Sequence, residues 1–136
     1  MRTGDSAFIA GYVRGIPGAR VVLPGGSYDP DAQVMRGPLV GKCAEEFYVD
    51  KYFIGTDGYD PVQGFSNVDM LRVEAVRAMA KRAGKRIILT DSSKFGASHA
   101  ASVCQDLSIL TGIVTDPGLA PETRARLESA GLRVLC

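Results

Sequence analysis

Hydrophobic and polar positions alternate in short blocks along this chain, and the blocks change period every ten to fifteen residues. Phe8, Ile9, Tyr12 and Val13 form an apolar stripe at helical spacing, which predicts a short helix over 7–14 capped by Asp5 or Ser6. Gly15-Ile16-Pro17-Gly18 ends it, and Ala19 to Leu23 reads as a strand turned by Pro24-Gly25-Gly26. Residues 27–36 give two signals: Asp29-Pro30-Asp31 argues loop and Gln33-Val34-Met35 argues strand. Pro38 suits the first turn of a helix running to Glu46. Val49 to Gly55 reads as a strand, and 56–67 as a loop. Asp69 caps a helix over 70–83, with Val73, Val76, Ala80 and Ala83 at helical spacing and Gly84 as its stop. Arg86 to Thr90 is a buried strand, 97–106 weakly helical, and 107–115 holds a strand ending in Val114-Thr115-Asp116. Pro121 to Ala130 is a helix ended by Gly131, and Leu132 to Leu135 the last strand. Strands alternating with helices at this spacing predict an α/β fold, a parallel sheet with helices on both faces. No internal repeat or linker divides it.

Composition agrees with one globular domain. The chain has 136 residues, 46% hydrophobic and 23% charged, with a formal net charge of +1. That charge, without a basic stripe, argues against nucleic-acid or membrane binding by this segment. Cys43, Cys104 and Cys136 have no CxxC spacing and read as free thiols of a reducing cytoplasm. No apolar run approaches the roughly 20 residues a membrane span needs. No metal cluster, Walker loop, GxGxxG or GxSxG is present, so no cofactor is expected. His99, the only histidine, reads as a surface or packing residue, and Cys104 as a small core hydrophobe.

The richest chemistry is Thr90-Asp91-Ser92-Ser93-Lys94-Phe95-Gly96, directly after a hydrophobic run. Ligands of open parallel sheets bind beyond the carboxyl ends of the strands. There, Asp91 can accept hydrogen bonds from sugar hydroxyls, and Lys94 can meet a phosphate. The alternative is a polar turn in which Asp91 or Ser92 caps the next segment. Three other strand ends are polar or small: Leu23-Pro24-Gly25-Gly26, Gly55-Thr56-Asp57-Gly58 and Thr115-Asp116-Pro117-Gly118. Gly25-Gly26 and Gly55 can offer backbone N–H groups to an anion, or Gly25-Gly26, Asp57-Gly58 and Gly118 can be ordinary turns. A crevice lined by Asp57, Asp91, Lys94, Gly25 and Gly26 is expected.

In order and spacing, Val21-Val22-Leu23-Pro24-Gly25-Gly26, Gly37-Pro38-Leu39, Asp50 to Gly58, Arg77-Ala78-Met79, Asp91 to Gly96 and Val114-Thr115-Asp116 resemble the effector-binding domain of DeoR-type bacterial transcriptional repressors. The resemblance implies a fold shared with ribose-5-phosphate isomerase and CoA transferases. It also implies a cytoplasmic sensor of a phosphorylated sugar that modulates operator DNA binding by an N-terminal helix-turn-helix, with a tendency to oligomerise. By position, Asp91, Ser92 and Lys94 would contact the ligand, Asp57 would lie in the pocket, and Thr3 in Thr3-Gly4-Asp5 would line it. The family's DNA-binding domain and its Asp-x-Gly-Thr-Thr loop are not in this sequence, so a truncated sensing domain is expected. Where the family carries Glu-Ala-x-Val-Lys-Arg, this chain reads Arg72, Val73, Glu74, Ala75, Val76, Arg77. Arg72, one turn from Val76 on the same face, can supply the positive charge. The rival class is a sugar-phosphate isomerase or transferase on the same fold, and a third is a remnant that only oligomerises.

Overall fold

A computed structural model describes the backbone of Arg2 and Thr3 and all of residues 6–136. Its centre is a four-stranded parallel sheet in the order β11-β10-β8-β5, formed by β5 (Val49–Gly55), β8 (Ala83–Leu89), β10 (Gly112–Val114) and β11 (Arg133–Leu135). Successive strands step across the sheet in one direction. Right-handed crossovers therefore put α3 (Met70–Ala80) and α4 (Pro121–Ser129) on the same face. Ile54, Ile88, Ile113 and Val134 stand in register across that face and are buried. Val73, Val76 and Met79 of α3 and Leu127 of α4 complete the core above them. The expected α/β class is what the structure shows, but the helices expected on both faces are found on one, because strands stepping in a single direction carry α3 and α4 to the isoleucine side while Phe53, Leu89 and Leu135 on the other stay half exposed.

The N-terminal third is built from smaller pieces. β1 (Arg2–Thr3) pairs in parallel with β2 (Val21–Val22), a shorter strand than 19–23. The helix expected after Ser6 forms as α1 (Ala7–Val13), with the Ile9 N–H donating to Ser6 Oγ. Both signals in 27–36 hold at once: β3 (Ser27–Asp29) and β4 (Val34–Arg36) make a hairpin whose turn is closed by Asp29 Oδ1 accepting from Asp31 and Ala32. Then α2 (Pro38–Glu45) lies against α3.

Three expectations are corrected. Residues 56–67 are a hairpin, β6 (Gly58–Asp60) and β7 (Gly64–Asn67), rather than a loop. Residues 97–106 contain β9 (Ala101–Cys104), which pairs antiparallel with β7, rather than a helix. β7 is buried throughout, so its backbone groups need ladder partners on both sides. Local propensity does not reveal that need. The long helix stops at Ala80 instead of running to Gly84, which lies inside β8. A Cβ on Gly84 would sit 3.1 Å from the Asp50 carbonyl oxygen. This glycine permits close strand approach instead of ending the helix.

Candidate functional site

Register makes the site. Gly55, Leu89, Val114 and Leu135 are aligned across the parallel sheet. The next residues of the first three strands are Thr56, Thr90 and Thr115, followed by Asp57, Asp91 and Asp116. Three neighbouring strands thus end in the same Thr-Asp pair at one level. The Thr90 N–H donates to the Val114 carbonyl and the Thr115 N–H to the Leu135 carbonyl, carrying the sheet one residue further. The threonines follow the parity of Ile54, Ile88 and Ile113, so they continue the core face. Their Oγ1 atoms are buried without a hydrogen-bond partner, as is Nδ2 of fully buried Asn67. Buried polar groups in this state are uncommon, and four of them gather at one sheet edge.

Asp57 is held in several ways. Its N–H donates to Asn67 Oδ1 (2.8 Å) and its Oδ2 accepts from the Val68 N–H (3.1 Å). Arg72, in the first turn of α3, brings Nη1 to 3.9 Å from Asp57 Oδ1. The guanidinium also lies over Gly55, where a Cβ would meet Nη2 at 3.3 Å. A cation in a helix's first turn opposes the macrodipole, so Arg72 depends on Asp57 for compensation. His99 packs beside this group as a half-buried residue. Its ring Nε2 lies 3.2 Å from the Asp57 carbonyl oxygen, a distance at which the Nε2–H tautomer donates to it. Gly58 belongs to β6 and is no plain turn: a Cβ there would fall 2.5 Å from the Ala97 carbonyl oxygen.

The Asp91–Gly96 segment forms a single 3₁₀ turn, Ser92–Lys94, with Asp91 as its cap. Asp91 Oδ1 accepts from both the amide and the hydroxyl of Ser93. The Ser93 hydroxyl and amide hold the Asp91 carboxyl below the usual range, and the Lys94 charge adds to this against Asp116. Asp116 Oδ2 accepts from the Ser92 N–H (2.6 Å) and Oδ1 from the Gly118 N–H (2.8 Å). These bonds, led by the Ser92 amide, lower the Asp116 carboxyl too. Gly118 is small for a reason, since a Cβ would meet Ser92 Oγ at 2.6 Å. The two halves are joined where the Gly96 N–H donates to the Tyr59 carbonyl and the Tyr59 and Phe95 rings meet at 5.4 Å. Capping by Asp91, the bland alternative, thus operates together with the grouping of Asp91, Ser92, Lys94 and Asp116.

Gly25 and Gly26 sit elsewhere. Gly26 packs against the Arg36 carbonyl and Val40, and Pro24 lines a small apolar cleft of about 20 Å³ with Val49 and Met79, at the end of β5 opposite Asp57. The Thr3 side chain, Gly4 and Asp5 lie outside the described residues. A wider groove of about 380 Å³ runs between α1 and the β3–β4 hairpin and contains none of the expected site residues. Among the described residues no cluster of His, Cys, Asp or Glu is arranged to hold a metal ion. Among the described residues no helix is long and apolar enough to cross a membrane. Asn67 and the threonine row escaped sequence reading. The repeated Thr-Asp was visible, but its meaning depended on the register.

The comparisons with known proteins agree with one another. The model of the DeoR C terminal sensor domain matches residues 4–117. The uncharacterized HTH-type transcriptional regulator YulB of Bacillus subtilis is 32% identical over 117 residues, which cover 84% of this chain and 44% of that protein. The HTH-type transcriptional regulator GolR of Listeria innocua is 26% identical, over 87% of this chain and 46% of its own length. A putative aga operon transcriptional repressor of Escherichia coli O157:H7 is 26% identical, over 87% and 44%. The chain therefore spans less than half the length of these curated relatives.

Proposed function

This chain belongs to the DeoR C-terminal sensor-domain family, and we propose that it is the effector-binding part of a transcriptional repressor, taking a phosphorylated sugar at the carboxyl edge of its parallel sheet. The observation that carries this reading is the alignment of three Thr-Asp strand ends with two cations, Lys94 and Arg72, beside them. Carboxylates accept from sugar hydroxyls, and the ammonium and guanidinium suit a phosphate. Asp57, Asp91 and Ser92 meet the polyol in this reading, and Lys94 and Arg72 the phosphate. Thr3 enters by family position alone, and Gly25 and Gly26, which lie beside Arg36 and Val40, are left out of this reading. The relatives' names support regulation, and in a full-length protein a helix-turn-helix segment outside this sequence would contact operator DNA.

The enzymatic alternative requires a carboxylate poised to take a proton. Asp91 is held below the usual range, so it stays an ionised carboxylate that accepts hydrogen bonds and is a poor base near neutrality. Both oxygens of Asp57 are engaged, by Val68 and Arg72. This chemistry favours binding over turnover.

Calorimetric titration with a panel of sugar phosphates, their unphosphorylated sugars and inorganic phosphate tests the reading. A charge-assisted contact contributes roughly 1.5–3 kcal/mol, so Lys94→Ala should weaken the best phosphorylated ligand about tenfold or more. Equal affinity for sugar and sugar phosphate, or unchanged affinity in Lys94→Ala, would refute it.

A further inference from the structure

Four buried donors at the carboxyl edge of the sheet have nothing to donate to. The hydroxyls of Thr56, Thr90 and Thr115 and the side-chain amide of Asn67 find no hydrogen-bond partner among the described residues. Asn67 is fully buried, and Thr56 and Thr115 keep only 7% and 9% exposure. The Asp57 N–H donates to Asn67 Oδ1 (2.8 Å), which fixes that end as the oxygen and leaves both Nδ2 protons unused. Gly55 pairs with Leu89, and Leu89 with Val114. Thr56, Thr90 and Thr115 therefore follow side by side on three adjacent strands, about 4.8 Å apart. Each stands two residues beyond a buried isoleucine, on the same face. Valine matches threonine in shape, suits an apolar face and carries no hydroxyl to satisfy. A hydroxyl at all three positions, with the Asn67 amide next to the first, breaks the local rule in the way functional sites do.

We propose that this row is the specificity element of the site: the threonine hydroxyls and the Asn67 amide donate to hydroxyl oxygens of the sugar, and without ligand they lower the stability of the domain. This role rests on the effector reading and adds to it the groups that choose among phosphorylated sugars. The carboxylates of the edge already hold its loops. Asp116 accepts from the Ser92 and Gly118 N–H groups, Asp91 Oδ1 from Ser93, and Asp57 Oδ2 from Val68. They keep part of their capacity for a ligand, whereas the row keeps all of its donors. A sugar hydroxyl oxygen has the lone pairs to accept from them. A χ1 step between staggered wells exchanges a threonine's Oγ1 with its Cγ2, which re-aims the hydroxyl without moving the backbone. The turn that follows Thr90, Ser92–Lys94, buries none of its residues, so little packing opposes its opening. Phosphate is common to every member of the ligand class and gives affinity without choice. Buried donors met by a ligand hydroxyl do discriminate, because an analogue lacking that hydroxyl leaves them unpaired again.

Valine exchange separates a ligand-reading role from a structural one. Free Thr90→Val and Thr115→Val should unfold at the same denaturant concentration as the wild type or a higher one, because each loses a buried unpaired hydroxyl. Their calorimetric affinity for the tightest-binding member of a sugar-phosphate panel should fall about tenfold or more, with the binding of inorganic phosphate unchanged. Thr115→Ser, which keeps the hydroxyl, should retain most of the wild-type affinity. A clear loss of stability in the valine variants overturns the proposal, since the hydroxyls would then be held by the fold itself. Undiminished affinity of both variants for the sugar phosphate overturns it as well, while leaving the effector reading intact. A wild type that binds no sugar phosphate overturns the effector reading and this role together.

Discussion

At the scale of single residues, Arg36 shows how one side chain ties distant segments together. Its Nη1 lies 3.1 Å from Asp29 Oδ2 and 2.8 Å from Asp69 Oδ2. Asp69 is also the cap of α3, accepting from the Leu71 N–H (2.9 Å). One guanidinium therefore hangs the β3–β4 hairpin on the start of the longest helix. The Arg36 hydrogen bond holds the Asp69 carboxyl below its ordinary value, and the cap amides add to this. A depressed folded-state value means that the carboxylate contributes stability above the ordinary carboxylate range and loses it as pH falls through that range and below. Thermal melts between neutrality and acid should show Arg36→Ala with a shallower acid loss than the wild type. Asp69→Ala should lose about 1 kcal/mol at neutral pH from the missing cap. Identical acid limbs for wild type and Arg36→Ala would show that the pair contributes nothing.

At the scale of elements, the three-stranded sheet β6-β7-β9 depends on one backbone position. Gly64 turns the β6–β7 hairpin with φ +73°, and an added Cβ would collide with the Cys104 carbonyl oxygen and the Gln105 backbone. A side chain there meets both a left-handed conformation and the neighbouring strand. Gly131, after α4, has φ +89° but open space around it. The two glycines therefore separate steric from conformational cost. Gly131→Ala should lose about 1 kcal/mol, the penalty of the left-handed region alone, and Gly64→Ala distinctly more, above about 3 kcal/mol, from strain and clash together. Chemical denaturation measures both. Equal losses would mean that β9 can move aside, and that the β7–β9 pairing is looser than its full burial suggests.

For the molecule as a whole, charge and fold argue against specific DNA binding by this chain alone. The net charge is +1, and the exposed cations are spread over the helix ends and the outer sheet face. Among the described residues no stripe of them follows a helix fit to enter a groove. A mobility-shift assay at physiological salt should show no sequence-selective binding at sub-micromolar concentration, and a selective complex there would overturn the assignment of DNA contact to a segment outside this sequence.

Much of the parallel sheet was legible in the chain itself. Val49–Gly55 appears with the bounds read from its apolar centre, and α1 and α4 fall within a residue of their cap and glycine signals, because such signals are local. The Asp91 and Lys94 motif was also legible, since an abrupt change from Ile-Ile-Leu to charge marks a strand's end. The β6-β7-β9 sheet was not. Gly64-Phe65-Ser66-Asn67 and Ala101-Ser102-Val103-Cys104 have weak strand propensity, and each is a strand only because the other buries and pairs it. Gly84 misled for a related reason: a glycine marks a helix end by its own flexibility, or close packing by what stands opposite, and sequence carries only the first. The site divides the same way. Residue types decided which chemistry was present. Register alone decided that Thr56, Thr90 and Thr115 stand in one row, that Arg72 reaches Asp57, and that Gly25-Gly26 lies with α2 instead, because pairing between strands distant in sequence is settled by burial of the whole sheet and not by any segment of it.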